Sequence, residues 1–418
     1  MATPRRAYAC SVSAMRHIPG AWSRAARGAG LLAPDGTAVA TIFAEMSALA
    51  ASTGAINLGQ GFPDEDGPQV VLEAARDAIA RGVNQYPPGR GTPDLRAAIA
   101  EHQQRFYGIR VDPDREVLVT AGATEALSAT LLALIDGPDD EVVVFEPYYD
   151  AYAACVALAG ARLVPVPLRR PDFQPDPDEL RRAVGPRTRL ILINDPHNPT
   201  GAVFATEVLD EVVRLAERHD AVIVTDEVYE HLVFDGVHVP IAAREDAWHR
   251  TLTISSAGKT FATTGWKVGW VSGPAELVDA VLAVKQWLTY VNGAPFQPAI
   301  AVGLRLGDDV FRKMAAGMRG KHMLLGDGLR TAGFDVIPPR GGYFTVADAA
   351  ELCARLDVVD ADALCRILPE RAGVAAIPLT AFVTPEHRAE YATLVRFAAC
   401  KRVDVIDEAS RRLATLAG

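Results

Sequence analysis

Arg189-Leu190-Ile191-Leu192-Ile193-Asn194 runs straight into Asp195-Pro196-His197-Asn198-Pro199-Thr200-Gly201. Four consecutive apolar residues read as a strand buried on both faces, and the polar, proline-rich segment ends it abruptly. Residues 207–218 then repeat Leu209, Val212, Val213 and Leu215 at helical spacing, and residues 221–225 form a second apolar run. A strand, a helix and a strand in succession predict a parallel pair joined by a crossover. The alternation extends both ways. Upstream, strands are expected at 116–120, 141–145 and 162–166, with helices at 124–134, 150–158 and 176–184. Downstream, residues 251–254 and 268–272 add two more strands. Seven strands spaced by helices predict an α/β fold whose mostly parallel sheet is covered on both faces.

Beyond residue 300 the texture changes. A long helix is expected over 308–331, short strands at 335–337, 343–346, 374–377 and 393–397, and a closing helix over 404–416. This reads as a smaller α+β lobe. The expected organisation is an N-terminal arm and part of the small domain over 35–65, a large domain over 66–305, and the small C-terminal domain over 306–418. Residues 1–34 carry five arginines and no acid. That composition is like an organellar transit peptide, but it equally fits a disordered extension or a start at Met15. The expectation is a disordered extension, and the segment is set aside from the fold.

The net charge of −10 argues against a nucleic-acid surface, which needs basic residues. No apolar run is long enough for a membrane span. Five cysteines without close pairing give neither a disulfide framework nor a zinc site, so no metal is expected. A cytoplasmic enzyme is the expectation.

In open parallel sheets ligands bind at the carboxyl ends of the strands, and here those ends are polar. Thr120-Ala121-Gly122-Ala123-Thr124 opens a helix whose free N–H groups could hold an anion; a plain turn and helix cap is the competing reading. Tyr148-Tyr149 could face a planar ring or simply pack. Asn198 carries an amide that can donate to a ligand oxygen. Asp226 emerges from an apolar strand, where a carboxylate is costly unless paired. Lysine is scarce, with six against 36 arginines, yet Lys259 and Lys267 lie eight apart in one short segment with Ser256 just ahead. Lysine, unlike arginine, can act as a covalent catalyst once its pKa is lowered. Arg396 interrupts an apolar run, which suits either an internal salt bridge or a bound carboxylate.

Taken in order, an aromatic residue, Asn-Pro-Thr-Gly, Asp-x-x-Tyr, Ser-x-x-Lys, a second Lys and a late Arg resemble the class I/II aminotransferases of fold type I. The resemblance spans residues 35–418. Residues 57–64 and 84–86 are similar to the kynurenine/glutamine branch. Residues 42–49, Tyr86-Pro87-Pro88-Gly89 and 293–298 are closer to the actinobacterial N-succinyldiaminopimelate aminotransferases of lysine biosynthesis.

The resemblance implies pyridoxal 5′-phosphate as cofactor and a homodimer as the active unit. It implies that Lys259 holds the cofactor covalently and moves the proton, and that Asp226 keeps the pyridine nitrogen protonated. Asn198 and Tyr229 would hydrogen-bond the ring's 3-oxygen, and Tyr149 would stack on the ring. The N–H groups of Ala123 and Thr124, with Ser256 and Lys267, would hold the phosphate, joined by Tyr86 from the partner. Arg396 would bind the substrate α-carboxylate, with Gly61 leaving room. Asp195 departs from the commonest pattern and is expected to stay out of the chemistry.

The implied reaction moves an amino group from an amino acid to a 2-oxo acid such as 2-oxoglutarate, with N-succinyl-LL-2,6-diaminopimelate as first donor. The alternatives are a kynurenine, glutamine or methionine aminotransferase, or a carbon–sulfur lyase on the same scaffold. A regulator with an aminotransferase-like domain would need a DNA-binding domain ahead of the fold, and about 34 residues are too few. Arg90 reads as a solvated surface arginine, with a distal substrate carboxylate as the other possibility.

Overall fold

The structure, a computed structural model, describes residues 20–417. Its centre is an eight-stranded sheet whose order from one edge is Val117–Thr120, Gly269–Ser272, Thr251–Ser256, Val222–Asp226, Thr188–Asn194, Glu141–Glu146, Arg162–Arg169 and Gln174–Pro175. All seven expected strands are present. The eighth, Gln174–Pro175, is a two-residue antiparallel addition at the edge, too short to show as a periodic pattern. Gly269–Ser272 runs antiparallel to both neighbours, and the long strands otherwise share one direction.

Strand side chains alternate between two cores. Val143, Phe145, Ile191, Ile193 and Ile223 face one side, and Val142, Val144, Leu190, Leu192 and Val224 the other. That period of two explains why the central strands are apolar at every position. Helix Thr206–His219 covers one face with Leu209, Val212, Val213, Leu215 and Ala216.

The C-terminal part has a four-stranded antiparallel sheet ordered Asp335–Ile337, Phe344–Asp348, Leu394–Ala398, Ile377–Pro378. The long helix, Asp308–Ala332, packs on Val403–Leu413. The run expected as one strand over 374–377 is two: Val374–Ala375 pairs in parallel with Ile56–Asn57, and Ile377–Pro378 joins the four-stranded sheet. The arm near residue 56 is thereby stitched to the C-terminal part of the chain.

One expectation is corrected. Within the supposed disordered extension, Trp22–Gly28 is a helix lying along helix Asp150–Ala159. Small residues let the two approach closely: a Cβ on Gly28 would sit 2.5 Å from the Ala157 Cβ and 2.7 Å from the Ala153 carbonyl oxygen. Residues 1–19 lie outside the described residues, and so does the part of that expectation that falls on them. Cys155, Cys353, Cys365 and Cys400 are free and buried. Among the described residues no helix is long and apolar enough to cross a membrane.

Candidate active site

Thr120, Glu146, Asn194, Asp226 and Ser256 all end strands at the same edge of the large sheet. A cavity of about 480 Å³ opens there. Of the residues expected at the site, Gly61, Ala123, Thr124, Tyr149, Asn198, Asp226, Tyr229, Ser256, Lys259, Lys267 and Arg396 border it. Tyr86 does not: it is 82% exposed, and its ring meets Tyr290 edge-on at 5.6 Å.

Lys259 lies in the short helix Ala257–Thr260, directly after the strand Thr251–Ser256. Its ammonium donates to the Gly61 carbonyl at 2.9 Å, and its own carbonyl accepts from the Tyr343 hydroxyl at 2.6 Å. Burial lowers its pKa, against the opposing pull of Cys400 and Asp226.

Asp226 accepts from the Tyr152 hydroxyl at 2.6 Å. Burial raises its pKa, and the Tyr152 and Val228 hydrogen bonds and the nearby Lys259 lower it only in part. Among the described residues its side chain makes no direct ion pair, and Lys259 acts on it from a distance. Asn194 ties its neighbourhood together, donating from Nδ2 to the Asp226 carbonyl at 2.7 Å and accepting from the Asn198 N–H at 2.7 Å. Both X–Pro bonds of the Asn198 loop are cis.

Arg396 is a buried guanidinium, 1% exposed, lying over the Phe344 ring at 4.0 Å and near Phe382 at 4.5 Å. It donates to Asn198 Oδ1 at 3.1 Å and to the Gly59 carbonyl at 2.7 Å. Among the described residues its Nε–H has no partner. Burial pushes its pKa down to about 10. An orphaned donor on a buried cation is costly, and an anion could relieve it. The Arg396 bond fixes which end of the Asn198 amide accepts, and Asn198 borders the cavity.

At the other end, Gly122 has φ +78° and opens the helix Gly122–Leu134. A Cβ there would stand 3.1 Å from Lys267 Nζ, so the missing side chain is what lets the ammonium close on the turn. Ala123, Thr124, Ser256 and Lys267 meet at this end. Gly61 is equally constrained, since its Cβ would stand 2.3 Å from Phe344.

Two residues here escaped sequence reasoning. Tyr152 follows Tyr149 by three on one helix, a spacing that could have flagged it. Phe344 had no local signal, because its position under Arg396 depends on two strands far apart in the chain. Arg90, read as a solvated arginine, instead pairs with Asp279. Asp195 is buried, accepts from the Phe204 N–H at 3.0 Å and does not border the cavity.

This arrangement, a lysine and a buried acid bordering one cavity with the Gly122 turn and Lys267 at one end and Arg396 at the other, agrees with a family match over residues 53–411 to aminotransferase class I and II. The chain belongs to this aminotransferase family. It is 51% identical over 387 residues to a probable N-succinyldiaminopimelate aminotransferase of Mycobacterium tuberculosis, covering 90% of this chain and 96% of that one. It is 37% identical over 377 residues to the methionine aminotransferase of Escherichia coli, covering 90% and 96%. The solved N-succinyldiaminopimelate aminotransferase from Mycobacterium tuberculosis superposes with a TM-score of 0.87 at 52% identity, covering 90% of this chain and 97% of that one. The protein is an aminotransferase of fold type I, as the order of motifs along the sequence led one to expect.

Proposed function

We propose that this aminotransferase binds pyridoxal 5′-phosphate and uses N-succinyl-LL-2,6-diaminopimelate as amino donor and 2-oxoglutarate as acceptor. The observation that carries the cofactor reading is the complementarity of the cavity's three parts. The Gly122 turn with Lys267 suits a phosphate, the buried Asp226 carboxylate, without a direct ion pair among the described residues, suits a protonated ring nitrogen, and Arg396 has an orphaned donor that suits a carboxylate. When bound, the cofactor supplies a carbonyl for attachment and a ring that takes up the electron pair left at the substrate α-carbon.

The chain's own groups do the rest. Arg396 clamps the α-carboxylate and so fixes the α-carbon, while the missing side chain at Gly61 keeps that approach open. Burial favours the neutral form of Lys259, whose Nζ would take the proton from the substrate α-carbon. Asp226, held by Tyr152, would keep the cofactor's ring nitrogen protonated. Asn198 and Tyr229 would donate to the ring's 3-oxygen, and Tyr149 would pack on the ring. The Ala123 and Thr124 N–H groups, Ser256 and Lys267 would hold the phosphate. The active unit we propose is a homodimer in which a second copy brings Tyr86 to the phosphate. We take residues 35–65 and 306–418 as a small domain around the large domain of 66–305.

The donor rests on the 51% identity to the mycobacterial relative. One observation favours a second donor class. Among the described residues the cations bordering the cavity are Lys259, Lys267 and Arg396, and each already has a role. None remains for a distal carboxylate within one chain, which suits a neutral side chain such as that of methionine. A half-reaction screen separates the readings. The pyridoxal form is mixed with a panel of amino acids, and conversion to the pyridoxamine form is followed by absorbance. N-succinyldiaminopimelate should convert fastest; faster conversion of methionine or kynurenine would transfer the assignment to that class. Lys259→Ala should bind cofactor without turnover, and retained turnover would remove Lys259 from the chemistry.

A further inference from the structure

The loop 286–293 touches the phosphate end of the cavity from outside, and nothing in the reaction described above uses it. Asn292 Nδ2 donates to two carbonyls at once, Thr120 at 3.1 Å and Lys267 at 2.8 Å. Thr120 leads into the Ala121-Gly122-Ala123 turn. Lys267 holds the left-handed φ of +54°, which a side chain other than glycine rarely adopts. One amide therefore joins the two backbone segments that carry the anion-binding N–H groups and the ammonium. Its oxygen-side backbone is fixed in turn: the Asn292 carbonyl accepts from Gln297 Nε2 at 2.7 Å, and Gln297 Oε1 accepts from the Thr92 N–H at 2.7 Å. Gln297 is 1% exposed.

A second strut runs from the same loop. Glu125 Oε2 accepts from the Ala121 N–H at 2.5 Å, and its other oxygen accepts from the Thr289 hydroxyl. The buried Lys285 ammonium closes the loop on itself through the Tyr290 carbonyl at 2.5 Å. The phosphate end is thus braced at Thr120, Ala121 and Lys267 from one loop.

We propose that Asn292, and Thr289 acting through Glu125, are positioning residues that set the spacing between Lys267 Nζ and the Gly122 turn, and through it the affinity for a phosphate group. This rests on the reading that a phosphate-bearing cofactor binds there. The role is positional because Lys267 and the turn are on separate segments, so a shift of either changes the gap that Gly122 leaves for the ammonium.

The test compares two ligands that differ only in the phosphate. The full-length chain, its Asn292→Ala variant and its Thr289→Val variant are each titrated with pyridoxal 5′-phosphate and with pyridoxal, following absorbance and intrinsic fluorescence. Losing such a brace should weaken pyridoxal 5′-phosphate roughly tenfold in each variant and leave pyridoxal unchanged. Equal weakening of both ligands would mean general loosening and would overturn the proposal, as would unchanged affinity for both. Thr289→Val carries the test if Asn292→Ala fails to fold. A parent chain that binds both ligands equally well would sink the phosphate assignment itself, an outcome read from the parent before any variant.

Discussion

Tyr152 supports the charged form of Asp226 through one hydrogen bond. The carboxylate is buried at the end of Val222–Asp226, and burial raises its pKa. The phenolic O–H at 2.6 Å opposes that rise. Hydrogen bonds to charged groups contribute about 1.5–3 kcal/mol. Tyr152→Phe should therefore lower kcat by roughly tenfold to a hundredfold, with KM for the amino acid little changed because Arg396 is untouched. Steady-state kinetics with several donors checks this; a loss in KM alone would place Tyr152 in substrate binding. Asp226 and Arg396 stood out in the sequence because each ends or interrupts an apolar run, Lys259 because lysine is scarce, and Asn198 because its amide sits in a proline-rich loop after a strand; their roles came from the family resemblance. Tyr152 and Phe344 were not, since a tyrosine on a helix and a phenylalanine in a strand are what any core contains.

At the level of elements, the antiparallel strand Gly269–Ser272 carries an unexpected duty. It lies between Val117–Thr120 and Thr251–Ser256, and at its first residue it runs into the anion turn. A Cβ on Gly269 would stand 2.6 Å from the Gly122 carbonyl carbon and 2.8 Å from the Ala123 nitrogen. Backbone cannot yield as a side chain can. Gly269→Ala should cost about 1–3 kcal/mol of stability and weaken cofactor binding, measurable as a lower Tm and a faster release of cofactor on dilution. A Tm and release rate equal to the parent's would show that the turn has room. The strands were legible from their length and their valine and isoleucine content. The helices Ile42–Thr53, Gln69–Ala80 and Pro93–Tyr107 were not read, although Thr41 and Thr92 cap two of them. Alanine is frequent in each, so their buried stripes are thin and the helical period is faint. Trp22–Gly28 was missed for a related reason: it buries no residue completely and is held by close approach of small side chains.

Across the whole molecule, buried ionisable groups behind the site make stability depend on pH. His238 Nε2 lies 2.9 Å from Glu227, and Nδ1 lies 3.7 Å from Asp195. Burial alone would lower the His238 pKa, but the two carboxylates prevail and push it up from 6.5 to about 9. A group whose folded pKa is raised contributes stability that is fully present below its unfolded pKa and is lost as pH rises through the folded value. The window is therefore 6.5 to about 9. His238→Gln should lower stability by about 2–3 kcal/mol below that window and flatten the decline within it, seen in urea melts at several pH values. An unchanged slope would show that His238 carries no charge in the folded protein. His102 and His197 work the other way: burial lowers both to about 3, so the stability they contribute is lost as pH falls from 6.5.

Residue order by itself determined the alternating strands and helices and pointed to the carboxyl ends of the strands, because apolar runs must be buried and a polar residue placed in one needs a partner. The lysine, acid, amide and arginine proposed for the site were singled out by the order of their motifs, through the resemblance to a known family. Only the tertiary structure decided that Arg396 reaches Asn198, that Tyr152 reaches Asp226, and that Asn292 ties Thr120 to Lys267. Each of these pairings joins segments far apart in the chain. Their distances depend on how layers pack and on where a glycine leaves room, which no local pattern of residues records.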